Sequence, residues 1–255
     1  MNLTVIKHRL MLLKTVLFLL PFMLAVSCNQ KPVLYLTGDS TMAYKPAEAE
    51  PERGWGQLLP EFFNEKIITI DNHARNGRST RSFIYEGFWD SVLAMMNKGD
   101  YLVIQFCHND GVESKLSRYC TLQEFEYNLS KFIKESKSKG VKPILCTPVE
   151  RRKFDTIGVL VDTHGEYPDV LRKVAQKNGV LLIDLQQKTH KLIQEYGPVE
   201  SKKLFMHVPP GKYPNYPNGR ADNTHFVEKG AREVAGLFIA GLKEKNHELV
   251  KYLKE

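Results

Sequence analysis

The stretch VLYLTGDSTM, residues 33–42, is an apolar, β-branched run that stops abruptly at Gly-Asp-Ser-Thr. A short apolar run that is bounded by a turn signal is typical of a buried β-strand. Ser40 is therefore expected at the carboxyl end of that strand. Because ligands bind at this edge in α/β folds, the stretch predicts a first buried strand that presents a hydroxyl group to a ligand site.

The same type of apolar run recurs along the chain and alternates with helical periodicity. An amphipathic segment lies around residues 54–63. Further strands are predicted at 67–71, 101–106, 142–147 and 180–184, and helices at 82–96, 122–137, 168–177, 185–195 and 227–245. This alternation predicts an α/β fold with a parallel sheet covered by helices on both faces. Right-handed crossovers then place the carboxyl end of every strand on one rim.

Two stretches interrupt this rhythm, at residues 148–167 and 197–222. Loops of this length inside a compact domain are usually functional or mobile. The second stretch has five prolines between Pro198 and Pro217, and these restrict its backbone. We therefore expect both stretches at the rim of the site, the second as an ordered wall.

The amino-terminal residues 1–27 have the pattern of a secretory signal. Lys7, Arg9 and Lys14 precede the uncharged run TVLFLLPFMLAVS, which is too short to cross a bilayer comfortably. The following residue is Cys28, and LAVSC resembles a bacterial lipobox. We expect export with lipidation at Cys28, to the periplasm or as an anchored lipoprotein of a Gram-negative-type bacterium; the alternative is a plain cleaved signal. A linker at 28–32 would then lead into a single domain at 33–255.

Charge bears on the class of partner. The formal net charge of the 255 residues is +7, and without residues 1–27 it falls to +4, because that segment has three basic residues and no acidic one. A mildly basic domain lacks the concentrated basic face that nucleic-acid binding needs. It remains compatible with an acidic polysaccharide.

Beyond Cys28 the cysteines are Cys107, Cys120 and Cys146, an odd number without CxxC spacing. Neither a zinc site nor a complete disulfide framework is indicated. The pattern favours buried, reduced cysteines. A disulfide between Cys107 and Cys146 stays open, since each ends an apolar run.

Four polar segments fall at the predicted rim: GDST at 38–41, NGRS at 76–79, HND at 108–110 and DNTH at 222–225. Acyl transfer by a nucleophile needs a hydroxyl, a base, a group that orients the base and donors for the oxyanion. Ser40 can supply the hydroxyl and His225 the base, with Asp222 three residues earlier in a turn or first helical turn. Gly77 offers an unobstructed backbone N–H, and Asn109 offers a side-chain amide.

These four blocks, in this order and spacing, resemble those of the SGNH (GDSL-type) hydrolases. Within that superfamily the chain resembles the rhamnogalacturonan acetylesterase branch in four stretches: GDSTM, RGWGQ at 53–57, NHARNGRSTRSF at 72–83 and PPGKYPNYPNGRADNTHF at 209–226. The resemblance implies a flavodoxin-like three-layer α/β/α sandwich with a central five-stranded parallel sheet. It also implies a serine esterase without metal or cofactor that removes O-acetyl groups from a plant cell-wall polysaccharide, above all acetylated rhamnogalacturonan.

Carried over by residue, the resemblance makes Ser40 the nucleophile that becomes acetylated, with Asp222 and His225 completing the triad. The oxyanion donors are then the backbone N–H groups of Ser40 and Gly77 and the side chain of Asn109. Asp39 is expected to hydrogen-bond the turn before the nucleophile.

Further residues are candidates for substrate contacts. Trp55, Tyr213 and Tyr216 could stack on sugar rings, or pack against the proline-rich loop. The arginines Arg78, Arg81, Arg151 and Arg152 could bind galacturonate carboxylates, or lie solvated on the surface. For His108, His207 and the stretch DTHGEYPD at 162–169, the spacing matches no metal template, so structural or substrate-lining roles are expected.

Other functions stay open at this point. An acetylxylan or other carbohydrate esterase would use the same triad, and so would a lipase or thioesterase, although the polar, prolyl rim disfavours an apolar cleft. A glycan-binding protein that kept the fold is the alternative outside enzymes. A flavodoxin-like cofactor binder would need a phosphate cradle, which GDST followed by Met-Ala-Tyr does not supply. The expected partner is an acetylated polysaccharide or oligosaccharide, with no nucleic acid and no membrane contact beyond the lipid anchor.

Overall fold

A computed structural model describes residues 31–254 of the chain. The expected signal segment and Cys28 lie outside the described residues. The strands are β1 (Val33–Gly38), β2 (Glu52–Arg53), β3 (Thr69–Asn72), β4 (Tyr101–Gln105), β5 (Lys142–Cys146), β6 (Leu181–Ile183), β7 (Phe205–Val208) and β8 (Arg220–Val227). The α-helices are α1 (Trp55–Leu58), α2 (Thr80–Tyr85), α3 (Phe88–Met95), α4 (Leu122–Ser138), α5 (Tyr167–Asn178), α6 (Leu185–Glu200) and α7 (Glu228–Glu244). Short 3-10 helices cover Ala47–Ala49, Leu59–Glu61, Ser201–Leu204 and Glu248–Tyr252.

Five strands form the central sheet in the order β3-β1-β4-β5-β6, and every pairing in it is parallel. This is the flavodoxin-like order, with the chain moving outward in both directions from β1. The predicted five-stranded parallel sheet is therefore confirmed. The switch in direction lies between β1 and β4, which places the carboxyl end of β1 beside the crevice where such folds bind ligands.

Alternate residues of the strands point to opposite faces of the sheet, and each face has its own apolar core. Leu34 and Leu36 of β1 pack on one side with residues of α1, α6 and α7, such as Phe238. Tyr35 of β1 packs on the other side with residues of α2 to α5, such as Phe132. The three-layer sandwich predicted from the alternating pattern is thus confirmed.

A second, antiparallel sheet has the strand order β2-β8-β7. Glu52 pairs with Val227, and Phe205 pairs with Phe226. The prediction of one long loop over residues 197–222 is therefore wrong: the chain kinks at Gly197, where φ is 70°, but helical backbone resumes to Glu200, and β7 and the start of β8 lie in the same stretch. The two-residue strand β2 lies far from β8 in sequence, so no local pattern marks the pairing.

Residues 82–96 were expected to form one helix, but the structure divides them into α2 and α3. The break lies at Gly87, whose φ of 75° is in the left-handed region that glycine adopts without a steric penalty. The stretch 148–166 carries no helix or named strand, as expected of the first long loop. Cys107, Cys120 and Cys146 are buried free thiols, so the favoured interpretation of the cysteines is confirmed and the open disulfide is not formed.

Within residues 31–254, no helix combines the length and the apolar character that crossing a membrane requires.

Candidate active site

The turn after β1 positions the predicted nucleophile. The carboxylate of Asp39 accepts hydrogen bonds from the backbone N–H of Thr41 (2.9 Å) and from its hydroxyl (2.8 Å). Asp39 is fully buried, and Ser40 keeps 9 % of its surface exposed. The prediction that Asp39 hydrogen-bonds the turn is confirmed, and the turn presents Ser40 at the rim of the sheet.

Ser40, His225 and Asp222 form a continuous chain of hydrogen bonds. The Oγ of Ser40 lies 2.9 Å from Nε2 of His225, and Nδ1 of His225 lies 2.8 Å from Oδ2 of Asp222. A serine, a base and an orienting carboxylate in this order are the arrangement that activates a hydroxyl for acyl transfer. The structure therefore brings together the three residues predicted as the triad.

Asp222 and His225 lie in strand β8, and not in a turn or first helical turn as the sequence suggested. The second carboxylate oxygen of Asp222 accepts hydrogen bonds from the backbone N–H groups of Thr224 (2.7 Å) and His225 (3.0 Å). These bonds fix the carboxylate within the strand, so that its other oxygen, Oδ2, faces the imidazole.

Electrostatics keep Asp222 ionised. Burial opposes its charge, but hydrogen bonds and charge interaction with His225 outweigh burial and hold the pKa of the carboxyl well below its usual range. The guanidinium of Arg220 contacts Oδ2 of Asp222 and also lies 3.1 Å from a carboxylate oxygen of Glu52. Arg220 thus joins the triad to the second sheet, in which Glu52 and Asp222 belong to neighbouring strands.

The predicted oxyanion donors lie on two neighbouring loops. Gly77 has a φ of 73°, which favours glycine. Within residues 31–254, the backbone N–H groups of Ser40 and Gly77 donate to no protein acceptor. Asn109 donates from Nδ2 to the carbonyl of Arg78 at 3.0 Å, and an amide nitrogen has a second proton. These groups are therefore free to donate to a substrate oxygen.

Arg118 connects the same two loops. Its Nη1 donates to the carbonyl of Gly77 at 3.0 Å and to Oδ1 of Asn109 at 3.1 Å. The buried carboxylate of Asp110 adds a second link, since it accepts from the backbone N–H of Thr80 (2.8 Å) and from that residue's hydroxyl (2.6 Å). Together these bonds hold the NGRS and HND blocks in one arrangement.

His108 supports the nucleophile turn from behind. Its Nδ1 lies 2.9 Å from Oδ2 of Asp39, and its Nε2 lies 3.1 Å from the carbonyl of Val149. The carboxylate of Asp39 and the carbonyl of Val149 are both acceptors. The two contacts can therefore be hydrogen bonds at the same time only when each ring nitrogen of His108 carries a proton. Burial opposes the charge of Asp39, but the neighbouring His108 and the donors of Thr41 lower its pKa to about 2.

Two cavities border the loops that carry the NGRS and HND blocks. One, of about 440 Å³, is lined by residues that include Gly77, Arg78 and Arg118. A larger one, of about 710 Å³, is lined by residues that include His108, Arg151 and Tyr167. Gly77 thus borders the first cavity, and His108, the neighbour of Asn109 in the chain, borders the second.

The four arginines predicted to contact the substrate differ in their surroundings. Arg78 and Arg151 line these cavities, although Arg78 also pairs with Glu86 and Arg151 also donates to the carbonyl of His108. Arg81 pairs instead with Glu124. Arg152 is buried and bonds the hydroxyl of Ser201, which removes it from the solvated surface.

Among the aromatic candidates, Trp55 is fully buried and donates from Nε1 to Gln105 at 3.0 Å. The prediction that it stacks on a sugar ring is therefore wrong, because its ring belongs to the core against Phe238. Tyr213 and Tyr216 lie half-buried in the 209–219 loop. The hydroxyl of Tyr216 contacts the carbonyl of Ala49.

Sequence reasoning missed Arg118 and Arg220. Neither falls in a block that the chemistry singled out as catalytic, and isolated arginines in polar loops carry no periodic signal. Arg220 lies two positions before Asp222, the first residue of DNTH, so this proximity in sequence was the available clue.

Residues 36–232 match the model of the GDSL-like Lipase/Acylhydrolase family. The chain is 44 % identical over 216 residues to rhamnogalacturonan acetylesterase RhgT of Bacillus subtilis. The aligned region covers 84 % of this chain and 91 % of the relative. It is 40 % identical over 245 residues to a rhamnogalacturonan acetylesterase of Emericella nidulans, covering 88 % of each chain.

Among solved structures, Axe2, an acetylxylan esterase from Geobacillus stearothermophilus, superposes with a TM-score of 0.61 at 18 % identity. The match covers 83 % of this chain and 94 % of Axe2, and at this identity it shows a shared fold. The matched blocks, the fold and the sequence identity agree with each other: this chain belongs to the GDSL-like lipase/acylhydrolase family.

Proposed function

We propose that the protein is a carbohydrate O-acetylesterase that acts on acetylated rhamnogalacturonan through an acetyl-Ser40 intermediate. The observation that carries this proposal is the hydrogen-bonded chain from Ser40 through His225 to Asp222, with free backbone donors beside it. The chain belongs to an esterase family, and two relatives at 40 % identity or more bear the name rhamnogalacturonan acetylesterase.

In the first half-reaction His225 removes the proton of Ser40 as Oγ attacks the acetyl carbonyl. The bond from carbonyl carbon to Oγ forms, and the carbonyl oxygen takes the negative charge. The N–H groups of Ser40 and Gly77 and the second Nδ2 proton of Asn109 stabilise that oxyanion, which is worth about 2.7–4 kcal/mol per donor. His225 then protonates the sugar oxygen as its bond to the acetyl carbon breaks, and the alcohol leaves.

In the second half-reaction water takes the place of the sugar alcohol. His225 removes a proton from water as it attacks the acetyl carbon, and the same donors stabilise the second oxyanion. Ser40 leaves with the proton from His225, and acetate is released. Throughout, Asp222 stays ionised and holds the imidazole orientation, as its lowered pKa requires.

Support for an acidic polymer comes from the arginines at the rim. Arg78 and Arg118 line the cavity beside Gly77, and Arg151 lines the larger cavity. Guanidinium groups bind carboxylates through paired hydrogen bonds, and galacturonate residues carry such carboxylates. A lipid substrate would instead require an apolar cleft, and the larger cavity is bordered by His108, Arg151 and Glu166.

The test is acetate release from acetylated rhamnogalacturonan, acetylated xylan and a small aryl acetate. We expect release to be fastest on the pectic polymer and to disappear in Ser40→Ala. The matched control is Ser91→Ala, an exposed serine on α3 whose hydroxyl bonds only the carbonyl of Gly87. In wild-type protein quenched during turnover, mass spectrometry should locate one acetyl group on Ser40.

Three outcomes would count against parts of the proposal. Faster release from xylan would overturn the pectic substrate but leave the esterase. Release in Ser40→Ala equal to wild type would remove the acetyl-serine mechanism. A folded wild type without release from all three esters would favour a glycan-binding protein instead.

We also propose that the protein is exported and lipidated at Cys28. The support is the uncharged run at 15–27, its basic lead-in and the LAVSC stretch. Radiolabelled palmitate fed to the expressing cells should enter the wild type and not Cys28→Ala. Equal labelling of both chains, or of neither, would refute lipidation at this residue.

A further inference from the structure

The loop after β5 returns to its own beginning and brings three ligating side chains together. Glu150 lies near the start of this loop, and Asp162 and His164 lie near its end. The Nδ1 of His164 is 3.7 Å from Oε2 of Glu150 and 3.4 Å from Oδ1 of Asp162. The three ligand atoms all lie within 4.8 Å of one another. No step of the proposed esterase reaction uses them.

Two members of this cluster are buried and have polar atoms without hydrogen-bond partners. The side chains of Glu150 and His164 are each 1 % exposed. Oε2 of Glu150 and both ring nitrogens of His164 lack a hydrogen-bond partner. A buried polar atom without a partner costs about 1–3 kcal/mol, and more when it is charged. Such a group in a native fold indicates something that binds it.

The spacing of these atoms fits a metal ion. In a tetrahedral zinc site with bonds of about 2.0–2.2 Å, ligand atoms lie about 3.3–3.6 Å apart. The distances from Nδ1 of His164 to its two carboxylate neighbours are 3.4 and 3.7 Å. Two carboxylates and one imidazole suit a borderline transition metal, whereas Ca²⁺ and Mg²⁺ prefer oxygen ligands only.

The guanidinium of Arg151 does not bond the three ligating side chains. It donates to the hydroxyl and carbonyl oxygen of Thr163 and to the carbonyl of His108. The ring of His108 meets that of His164 edge to face, with centroids 4.9 Å apart. His108, which also contacts Asp39, therefore links the cluster to the nucleophile turn.

A cavity borders two of the three ligating side chains. A cavity of about 250 Å³ is lined by Glu150 and Asp162 and by four residues of α6, namely Gln186, Gln187, His190 and Lys191. It is large enough for the water molecules that complete a coordination sphere. Nε2 of Gln186 also donates to Oδ1 of Asp162 at 3.0 Å, which orients that carboxylate.

We propose that Glu150, Asp162 and His164 form a binding site for a divalent transition metal, best fitted by Zn²⁺. The ion ties the start of the 148–167 loop to its end, and so holds Arg151 and the wall of the larger cavity. Its role is structural, because within residues 31–254 neither Ser40 nor His225 bonds any of the three ligating side chains. This proposal replaces the sequence-based expectation that DTHGEYPD is no metal site.

The test uses the full chain without a histidine tag, stripped with a chelator and dialysed. Titration with Zn²⁺ at neutral pH should show one site per chain by calorimetry and raise the thermal midpoint. Glu150→Gln and His164→Gln should each weaken binding by more than about 100-fold, since even loss of an outer partner costs about 10–100-fold. Glu166→Gln, an exposed acid of the same loop, is the matched control and should bind as wild type does.

A second comparison distinguishes the loss of metal binding from misfolding of a variant. Without metal, Glu150→Gln should have a thermal midpoint equal to or above that of wild type, because it removes a buried carboxylate. With Zn²⁺, only wild type and Glu166→Gln should gain stability. The proposal is overturned if Zn²⁺ binds Glu150→Gln and wild type equally, if it binds neither, or if Ca²⁺ binds more tightly than Zn²⁺.

Discussion

Replacing Arg118 by methionine tests whether the oxyanion donors depend on a residue that does not itself donate to the substrate. The guanidinium bonds the carbonyl of Gly77 at 3.0 Å and Oδ1 of Asn109 at 3.1 Å. In Arg118→Met both bonds are lost. Gly77 and the amide of Asn109 then have more freedom to turn away from the position that the oxyanion occupies.

The size of the effect is bounded on both sides. A hydrogen bond from a charged donor is worth about 1.5–3 kcal/mol net, and Arg118 is half-buried, so the lower part of that range applies. Complete loss of one oxyanion donor costs about 2.7–4 kcal/mol. We therefore expect kcat to fall by about 10–100-fold, which corresponds to about 1.4–2.7 kcal/mol.

The assay is hydrolysis of a small aryl acetate, because Arg118 also lines a cavity that could bind sugar carboxylates. On this substrate a positioning effect lowers kcat and leaves KM nearly unchanged. The control is Arg232→Met, an exposed arginine on α7 that pairs with Glu228 and Glu61. A kcat within about threefold of wild type, or a change in KM alone, would refute the reasoning.

Three further predictions follow from the same geometry. Gly77→Ala should lower kcat by about 10-fold or more, because a φ of 73° costs an L-residue about 1–2 kcal/mol; steady-state kinetics on the aryl acetate measure it, and unchanged kcat would contradict it. The pKa of the Asp39 carboxyl is lowered to about 2 in the folded protein. The ionised carboxylate therefore stabilises the fold above about pH 4, and this contribution is lost as pH falls toward 2. Urea unfolding should therefore show wild type losing about 2 kcal/mol more than His108→Gln between pH 5 and pH 2, and parallel losses would exclude the ion pair. Trp55→Phe should lower the unfolding free energy by about 0.5–1.5 kcal/mol, because it removes one of the two hydrogen bonds that Oε1 of Gln105 accepts, without changing KM on the polymer; a raised KM in a stable variant would restore Trp55 to the binding site.

The central sheet was predictable because its signal is local. Each buried parallel strand is an apolar run of a few residues, and each helix has its own 3.6-residue period. Strand boundaries shifted by two residues or fewer, as for β3 (Thr69–Asn72) against the expected 67–71. The break at Gly87 within the expected helix 82–96 escaped the periodicity, because the apolar positions continue across it.

The candidate triad was predictable for a different reason. Parallel topology places every strand's carboxyl end on one rim, so four polar blocks in chain order imply a meeting of their side chains. Ser40, Asp222 and His225 meet accordingly, although Asp222 and His225 reach the rim on a strand of a second sheet.

The amino-acid sequence by itself thus determined the parallel sheet and the chemical groups at its rim, since both depend on short-range patterns. The tertiary structure alone decided the pairing of β2 with β8, the burial of Trp55 and the bonds from Arg118 to Gly77 and Asn109. Each of these depends on which distant segment supplies the partner. The sequence around a polar or aromatic side chain does not indicate which distant segment it contacts, because its hydrogen bonds and burial are fixed only when the packed layers exclude water.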